Sequence, residues 1–365
     1  MQFKVKINRK NFAYDVYVTN MVKKKINEIF NDSGNPKNIL AVIDANVFKY
    51  HHKKISSILK INKCKVEIII LHPSETVKSL STVQKIYDVL IKNKFLKDTV
   101  IIAIGGGITG DVAGFAASTY MRGIRLIHIP TTVTAVVDSS IGGKTGVNHL
   151  KLKNVIGSFY HPEAVLIDFE FLETLSGNQI RAGFGEVIKY AFLSNQDFYN
   201  YILKNFNELI KLDRKKLYYV VNECIKIKVA VINNDETDSG PRKILNFGHT
   251  FAHAIESVSG YKISHGEAVV AGIVSALILS FQKGFVNNRR LTDYLRLPLK
   301  FKLSKKLLTI NDNKVYEVMR IDKKNRDEQI RLVGLKKIGE ILLDLKAGKQ
   351  EILKAIRIMK NLVKV

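Results

Sequence analysis

Three of the nine histidines of this chain lie within seventeen residues, at His249, His253 and His265. Because His249 and His253 are four residues apart, one helix face would carry both. Imidazole is the usual protein ligand for zinc and similar metals, so the cluster indicates an enzyme with a metal in a helical pocket. The paired-histidine motif of zinc peptidases is excluded, since Thr250 stands where that motif needs Glu. The alternative is a set of hydrogen-bonded core histidines.

Glu186 and Lys189 supply a carboxylate and a cation three residues apart, on one predicted helix face. Their flanks, Phe184, Val187 and Ile188, are apolar, which favours burial of the pair. A buried carboxylate needs a cation or a metal, so Glu186 is our candidate to complete a site with two histidines. Two His and one carboxylate with an open position are typical of catalytic zinc. The alternative is a surface ion pair.

Arg242 and Asn246 lie four residues apart just before His249. If a helix begins near Pro241, both side chains point the same way and could bind a hydroxyl or a carboxylate at the rim of the pocket. The alternative is an arginine at a helix start, exposed to solvent.

A glycine-rich loop, Gly105–Asp111, follows a predicted strand and opens a predicted helix. It satisfies the G-x-G-x-x-G pattern, in which glycines let the backbone approach a pyrophosphate at a helix N-terminus. No acidic residue follows the loop by about twenty positions, as the usual dinucleotide fingerprint requires. Asp44, at the end of the strand Ile39–Ile43, could instead bind the ribose. It could also cap the helix that begins near Val47.

A second glycine pair, in Gly142–Thr145, precedes a lysine but is not a P-loop, because Asp138 stands where that motif needs its first glycine. Lysine suits phosphate as a point charge, so Lys144, Lys153 and Asn154 predict a phosphate or hydroxyl site. The alternative is a glycine turn with solvent-facing lysines.

The elements that would position these residues change character along the chain. In the first half, apolar strand-like runs alternate with helix-period stretches around Val47–Lys60 and Val77–Lys94, which indicates a parallel α/β sheet. The predicted strands are Ile39–Ile43, Val66–Leu71, Thr99–Ile104 and Arg125–Ile129.

Helix-length segments dominate from residue 177 to residue 283, and a short strand (Gln329–Gly334) and a terminal helix (Lys349–Val363) follow. We therefore predict an α/β nucleotide-binding domain with a parallel sheet at 1–170. A mostly α-helical metal- and substrate-binding domain follows at 171–365.

Composition excludes several classes of protein. With 365 residues, 46% hydrophobic and 25% charged, the chain is typical of a soluble globular protein. It shows neither a signal-peptide pattern nor an evident membrane-spanning run, which favours the cytoplasm and no membrane partner. Cys64 and Cys224 form no metal or redox motif, so a metal would be held by His and carboxylates.

The net charge of +25 could indicate nucleic-acid binding. The lysines are spread along the whole chain, with no basic tail and no patch interleaved with aromatic residues, so we predict no nucleic-acid partner. Part of the excess positive charge would bind an anionic substrate.

Together these segments resemble the 3-dehydroquinate synthase family, within the sugar-phosphate cyclase superfamily, over nearly the whole chain. Each motif alone is weak, but their shared order and spacing are specific. The motifs are Gly105–Asp111, Pro130–Thr132, Asp138–Lys144, Lys153–Asn154, Gly185–Lys189, Asn246–His249 and Ser264–Glu267.

The resemblance implies a lyase that uses NAD and zinc, with Co²⁺ or a similar divalent ion as an alternative metal. The substrate would be 3-deoxy-D-arabino-heptulosonate 7-phosphate, and the products 3-dehydroquinate and phosphate, in the shikimate pathway of aromatic amino acid biosynthesis. In the family, NAD transiently oxidises a substrate hydroxyl, phosphate is eliminated and the ketone is reduced again. Ring opening and aldol closure follow.

The resemblance also implies residue roles. Glu186, His249 and His265 would bind the metal, and His253 would handle protons. The catalytic set is His253, Asp238, Lys189, Asp138 and Lys144. The substrate-binding set is Arg122, Asp138, Lys144, Asn154, Lys189, Lys228, Arg242, Asn246 and Arg331. The NAD-binding set is Asp44, Asn46, Glu75, Thr76, Val77, Lys78, Gly106, Gly107, Ile108, Asp111, Thr131, Thr132, Lys153, Phe171, Leu172, Glu173 and Thr174.

Arg122 matches an arginine that reaches the phosphate across a subunit interface, which implies a homodimer. Three positions depart from the family pattern. Asp238 stands where the family usually has Glu, Arg331 falls where it usually has Lys, and Leu71–Glu75 is an unusual version of its loop.

Three alternatives stay open. One is another sugar-phosphate cyclase, although Lys228, Arg242 and Asn246 together favour dehydroquinate formation. Another is a metal-dependent polyol dehydrogenase of the related fold, which would accumulate NADH. The third is a basic binding protein or a degenerate relative without catalysis.

Overall fold

The computed structural model describes residues 1–7, 12–61, 64–150, 152–321 and 329–364. Contacts divide the chain into two compact units. Unit 1 comprises 1–176 with 228–237, and unit 2 comprises 177–227 with 238–365. The change at 176/177 lies six residues after the boundary predicted from the sequence, and nothing in the sequence indicated that 228–237 belongs with unit 1.

Unit 1 is built on a seven-stranded sheet of order β1-β2-β9-β6-β5-β3-β4. All neighbouring strands are parallel except β1 and β2, which confirms the predicted parallel α/β domain. Its strands are β1 (Gln2–Ile7), β2 (Phe12–Val18), β3 (Asn38–Asp44), β4 (Lys65–Leu71), β5 (Val100–Gly105), β6 (Arg125–Pro130) and β9 (Ala164–Ile167). A separate hairpin is formed by β7 (Lys144–His149) and β8 (Leu152–Phe159).

Helices cover both faces of the sheet: α1 (Val22–Ser33), α2 (Ala45–Leu59), α3 (Leu80–Lys92) and α4 (Gly107–Thr119). Alternate residues of β3 point to opposite faces. Ile39 and Ile43 pack with α1 and α2, whereas Leu40 and Val42 pack with α3 and α4. Burial on both faces explains why the parallel strands are continuous apolar runs.

The sheet sets where the two nucleotide-site candidates lie. β3 and β5 are parallel neighbours, with Ile43 opposite Ile104. Asp44 and Gly105 therefore end adjacent strands at the same sheet edge, which is where α/β sheets bind ligands.

Unit 2 is mostly helical, as predicted. Its helices are α5 (Gly177–Leu193), α6 (Gln196–Leu209), α7 (Arg214–Asn234), α8 (His249–Val258), α9 (His265–Gln282), α10 (Asn288–Lys300), α11 (Asp312–Ile321) and α12 (Lys349–Lys364). The last turns of α7 group with unit 1. The predicted C-terminal strand is one arm of a hairpin of β10 (Ile330–Lys337) and β11 (Glu340–Ala347).

One helix among the described residues, α9, is long and apolar enough to cross a membrane by length and composition. From the sequence we expected no such run. In the fold, 78% of this segment is buried, because α9 lies at the centre of unit 2. Its apolar character is that of a core helix.

Candidate functional site

Glu186 on α5, His249 on α8 and His265 on α9 converge in unit 2. One ligand atom from each lies within 4.8 Å of the others, and this is the one such group found among the described residues. Oε1 of Glu186 lies 3.3 Å from Nε2 of His249 and 2.9 Å from Nε2 of His265. Ligands about 2.0 Å from a tetrahedral zinc stand about 3.3 Å apart, so the donor set fits a divalent metal.

Glu186 is 1% exposed and carries charge partners on both carboxylate oxygens. Oε2 lies 2.6 Å from Nζ of Lys189, which is also 1% exposed, while Oε1 faces the two imidazoles. Burial alone would raise the pKa of Glu186, but Lys189 and His249 outweigh it and hold the pKa well below its usual value. Glu186 is thus ionised, as a metal ligand must be. The alternative of a surface ion pair is wrong.

The two imidazoles present Nε2 to this group and direct Nδ1 away from it. Nδ1 of His249 lies 3.3 Å from the carbonyl oxygen of Phe247, and Nδ1 of His265 lies 3.5 Å from Oε2 of Glu256. Burial would lower the pKa of His265, but hydrogen bonds with Glu186 and Glu256 raise it to about 10. Outer partners of this kind orient ligating histidines.

Glycines allow the three helices to approach so closely. A β-carbon on Gly266 would lie 1.8 Å from the carbonyl oxygen of Ala182, and one on Gly272 would lie 2.1 Å from that of Gly248. Each metal-ligand candidate is next to a glycine in sequence: Gly185, Gly248 or Gly266. This pairing of glycine with ligand is visible in the sequence, although we did not predict the close helix contacts from it.

His253 lies one turn after His249 on α8, as predicted, with ring centroids 5.5 Å apart. It is exposed and is not a member of the group that could hold the metal. The geometry therefore leaves His253 accessible to a molecule bound beside the metal.

A helix does begin at Pro241, but it is a short 3-10 helix and not the first turn of α8. This 3-10 turn spans Pro241–Asn246, and Gly248, with φ of +80°, separates it from α8. Arg242 is 1% exposed, so the alternative of a solvent-facing arginine is wrong. Nδ2 of Asn246 is buried without a hydrogen-bond partner among the described residues, which is suited to receiving an acceptor from a ligand.

Two of the three departures noted in the sequence, Asp238 and Arg331, lie in unit 2. Asp238 is half-buried and adopts a left-handed backbone, with φ of +59°. Arg331 lies on an exposed position of β10, opposite Lys346 of β11.

The glycine-rich loop of unit 1 joins β5 to the N-terminus of α4, as predicted. A β-carbon on Gly105 would lie 2.6 Å from Thr109, and one on Gly106 would lie 3.0 Å from Thr132. The main chain therefore passes close to its neighbours here, and the free amides of the first turn of α4 can face an anion.

Asp44 serves the capping role considered as its alternative. It accepts hydrogen bonds from the amides of Asn46, at 2.8 Å, and Val47, at 3.4 Å. Its second oxygen leaves capacity for a ribose hydroxyl. Burial raises the pKa of this carboxyl.

Several predicted nucleotide- and substrate-binding residues form one polar network in unit 1. Nζ of Lys78 contacts Oδ2 of Asp111 and Oδ1 of Asn154. Glu75 pairs with Lys153 at 3.0 Å. The structure thus brings together residues that are 79 positions apart in sequence, from 75 to 154.

The segment 171–174 divides between core and surface. Phe171 and Leu172 are each 1% exposed, so any contact with NAD would come from their main chain. Thr174 is exposed, and its hydroxyl lies 2.8 Å from Nε2 of His51 on α2. No motif in the sequence had indicated a role for His51.

Two lysines of unit 1 that were predicted to bind substrate occupy different settings. Nζ of Lys228 pairs with Oδ1 of Asp138, and both are largely buried. Lys144 is exposed after Gly142 and Gly143, whose φ values are +103° and +69°. A β-carbon on Gly143 would lie 2.8 Å from the ring of His161, so this turn needs glycine.

Arg122 is exposed on a turn of unit 1 in which three successive residues are left-handed: Met121, Arg122 and Gly123, with φ of +47°, +61° and +109°. Nζ of Lys97 donates to the carbonyls of Met121 and Gly123. A positive φ strains the backbone of residues other than glycine. The conformation that exposes Arg122 is therefore a strained one.

The family model described as 3-dehydroquinate synthase N-terminal matches residues 68–182, and the one described as 3-dehydroquinate synthase C-terminal matches residues 183–325.

Two relatives and a solved structure are similar to this chain over nearly its full length. The 3-dehydroquinate synthase of Prochlorococcus marinus (strain MIT 9312) is 39% identical over 336 residues, which cover 91% of this chain and 93% of the relative. That of Pelagibacter ubique (strain HTCC1062) is 38% identical and covers 96% of each. A solved 2-deoxy-scyllo-inosose synthase, complexed with carbaglucose-6-phosphate, NAD⁺ and Co²⁺, has a TM-score of 0.89 at 25% identity. It covers 98% of this chain and 99% of that one. The chain therefore belongs to the 3-dehydroquinate synthase family.

Proposed function

We propose that this chain is a 3-dehydroquinate synthase, a carbon-oxygen lyase that converts 3-deoxy-D-arabino-heptulosonate 7-phosphate to 3-dehydroquinate and phosphate. The observation that carries the proposal is the convergence of Glu186, His249 and His265 to within 4.8 Å. It occurs in a chain 39% identical to a named 3-dehydroquinate synthase.

Unit 1 would bind NAD. The amides at the start of α4 suit the pyrophosphate, and Asp44, at the adjacent strand end, suits a ribose hydroxyl. The chemistry that NAD would supply there is reversible hydride transfer with the carbon that bears a substrate hydroxyl. A solved relative at 25% identity contains NAD⁺, which supports this assignment.

Glu186, His249 and His265 would hold Zn²⁺, with Co²⁺ as an alternative. A divalent ion there would polarise the reacting hydroxyl and lower its pKa. His253, exposed one turn along α8, would exchange the proton with the substrate. Lys189 keeps Glu186 ionised through its 2.6 Å contact.

The substrate carries a carboxylate and a phosphate, and the predicted contacts are cationic. Arg242, at 1% exposure, suits bidentate binding of a carboxylate or phosphate. Lys144 and Lys228 add point charges, and Asp138 restrains Lys228 by pairing with it. Asn246 would donate its buried amide to the substrate.

We further propose a cytoplasmic homodimer. The support is the exposed, strained turn that presents Arg122, together with the family pattern in which this arginine serves a neighbouring subunit.

The runner-up is a cyclase that acts on another sugar phosphate, because the solved 2-deoxy-scyllo-inosose synthase shares the fold with a TM-score of 0.89. Sequence identity favours dehydroquinate formation, at 39% against 25%. A degenerate relative without catalysis is disfavoured by the intact group of metal-ligand candidates.

The test is phosphate release from a panel of sugar phosphates, with NAD and a divalent metal present. We expect turnover with the heptulosonate phosphate, loss of turnover when NAD is omitted or a chelator is added, and no accumulation of NADH. Turnover only with a hexose or sedoheptulose phosphate would favour the runner-up, and net NADH from a polyol would indicate a dehydrogenase.

A further inference from the structure

Glu256 is a buried carboxylate beside the metal-ligand group, and no motif in the sequence indicated a role for it. It lies on α8 seven residues after His249, so both side chains project from the same face of the helix. Its side chain is 5% exposed. A charged carboxylate at this depth is costly unless it is paired, so its position requires a physical reason.

The contact with His265 supplies that reason. Oε2 of Glu256 lies 3.5 Å from Nδ1 of His265, whereas Nε2 of the same ring lies 2.9 Å from Glu186. The ring thus stands between two carboxylates, with one nitrogen for each. His249 differs, because its Nδ1 faces the neutral carbonyl of Phe247.

We propose that Glu256 is a positioning residue of the metal site. It accepts a hydrogen bond from Nδ1 of His265 and so fixes the tautomer in which the Nε2 lone pair faces the metal. Its carboxylate also gives His265 a charged outer partner, whereas the outer partner of His249 is a neutral carbonyl. The inference rests on the proposed metal site and adds that its two histidine ligands have different outer partners.

The test measures zinc affinity directly, by competition of the full-length metal-free protein with a chromophoric chelator. Glu256→Gln keeps the shape of the side chain and removes its charge. We expect zinc affinity to fall about 10- to 100-fold, as for outer carboxylates of other zinc sites, and NAD affinity to stay unchanged. Glu256→Ala should lose at least as much zinc affinity as Glu256→Gln.

Glu267→Gln is the matched control. It removes a carboxylate two residues from His265 in sequence, on the first turn of α9, where Glu267 instead accepts from the amide of Ser304 at 2.6 Å. We expect near-normal zinc affinity. With Co²⁺ in place of zinc, the visible spectrum should shift in Glu256→Gln and not in Glu267→Gln, because only Glu256 contacts the side chain of a metal-ligand candidate.

The experiment distinguishes failure of the role proposed for Glu256 from failure of the proposed metal site. Equal zinc affinity in Glu256→Gln and the unsubstituted protein, or an equal loss in Glu267→Gln, would overturn the role of Glu256. Retention of zinc by His265→Ala would instead overturn the metal site itself. If Glu256→Gln does not fold, Glu256→Asp decides: the shorter acid keeps the charge but not the reach, so weaker zinc binding supports the inference and normal binding contradicts it.

Discussion

Gly185 on α5 and Gly266 on α9 lie in main-chain contact: a β-carbon on Gly185 would come 2.3 Å from the carbonyl oxygen of Gly266. Glu186 and His265 are the adjacent residues in sequence. The contact therefore fixes the separation of two metal-ligand candidates that are 79 positions apart, and packing of the two helices is coupled to the metal site.

Gly266→Ala should disrupt this crossing, because its β-carbon would meet the carbonyl oxygen of Ala182 at 1.8 Å. We expect a loss of about 1–3 kcal/mol in the free energy of unfolding, together with weaker zinc binding. Urea unfolding and metal analysis measure both.

Gly177→Ala, at the start of α5, is the control, since nothing lies within 4 Å of its β-carbon. It should be neutral or raise stability by about 0.5–1 kcal/mol. Equal stability of both variants would show that the crossing does not depend on glycine.

Substitution of the three histidines should separate their roles. We expect His249→Ala and His265→Ala to purify without zinc, because each removes a donor from the group within 4.8 Å. His253→Ala should keep its zinc and lose about 10²- to 10⁴-fold in rate, the usual effect of removing a general acid–base group. Metal analysis showing zinc lost from His253→Ala would contradict this division.

Subunit mixing tests whether Arg122 acts across an interface. Arg122→Ala and His253→Ala should each be nearly inactive as pure proteins. In a mixed dimer, one site receives an intact His253 from one subunit and an intact Arg122 from the other. After unfolding and refolding together, about a quarter of the normal activity should return. No recovery, in a mixture shown to contain mixed dimers, would place Arg122 and His253 in the same subunit's site.

His128 on β6 should make stability depend on pH. It is 6% exposed beneath the glycine loop, where its ring would meet a β-carbon on Gly110 at 3.4 Å, and burial lowers its pKa to about 4. The unfolded chain binds the proton more readily, with a pKa of about 6.5. The contribution of neutral His128 to the free energy of unfolding is therefore fully present above pH 6.5. It is lost as the pH falls from 6.5 towards 4.

As the pH falls from roughly 7 to 5, protonation of His128 in the unfolded chain should lower the free energy of unfolding by about 2 kcal/mol. His128→Gln, which cannot titrate, should lose correspondingly less stability over that interval in urea unfolding. The same pH dependence in both proteins would show that His128 does not cause it.

The sequence predicts the chemistry of the candidate site better than its packing. Residue type and spacing identify Glu186 and the cluster of three histidines, because few other side chains bind zinc, and the family resemblance selects His249 and His265 as the ligands. Apolar runs identify the parallel strands. The crossing at Gly185 and Gly266, the 3-10 turn before Gly248 and the outer contact of Glu256 depend on which helices meet. The periodicity of one helix does not show which other helices it contacts, so these features could be seen only in the folded structure.

The product balance of one reaction tests the proposed chemistry more directly than any single substitution. With the heptulosonate phosphate, NAD and zinc, we expect equal amounts of phosphate and 3-dehydroquinate, with no net change in NADH absorbance. The His253→Ala protein, still loaded with zinc, should form both products much more slowly. Phosphate release without 3-dehydroquinate, or stoichiometric accumulation of NADH, would contradict the proposed cyclisation.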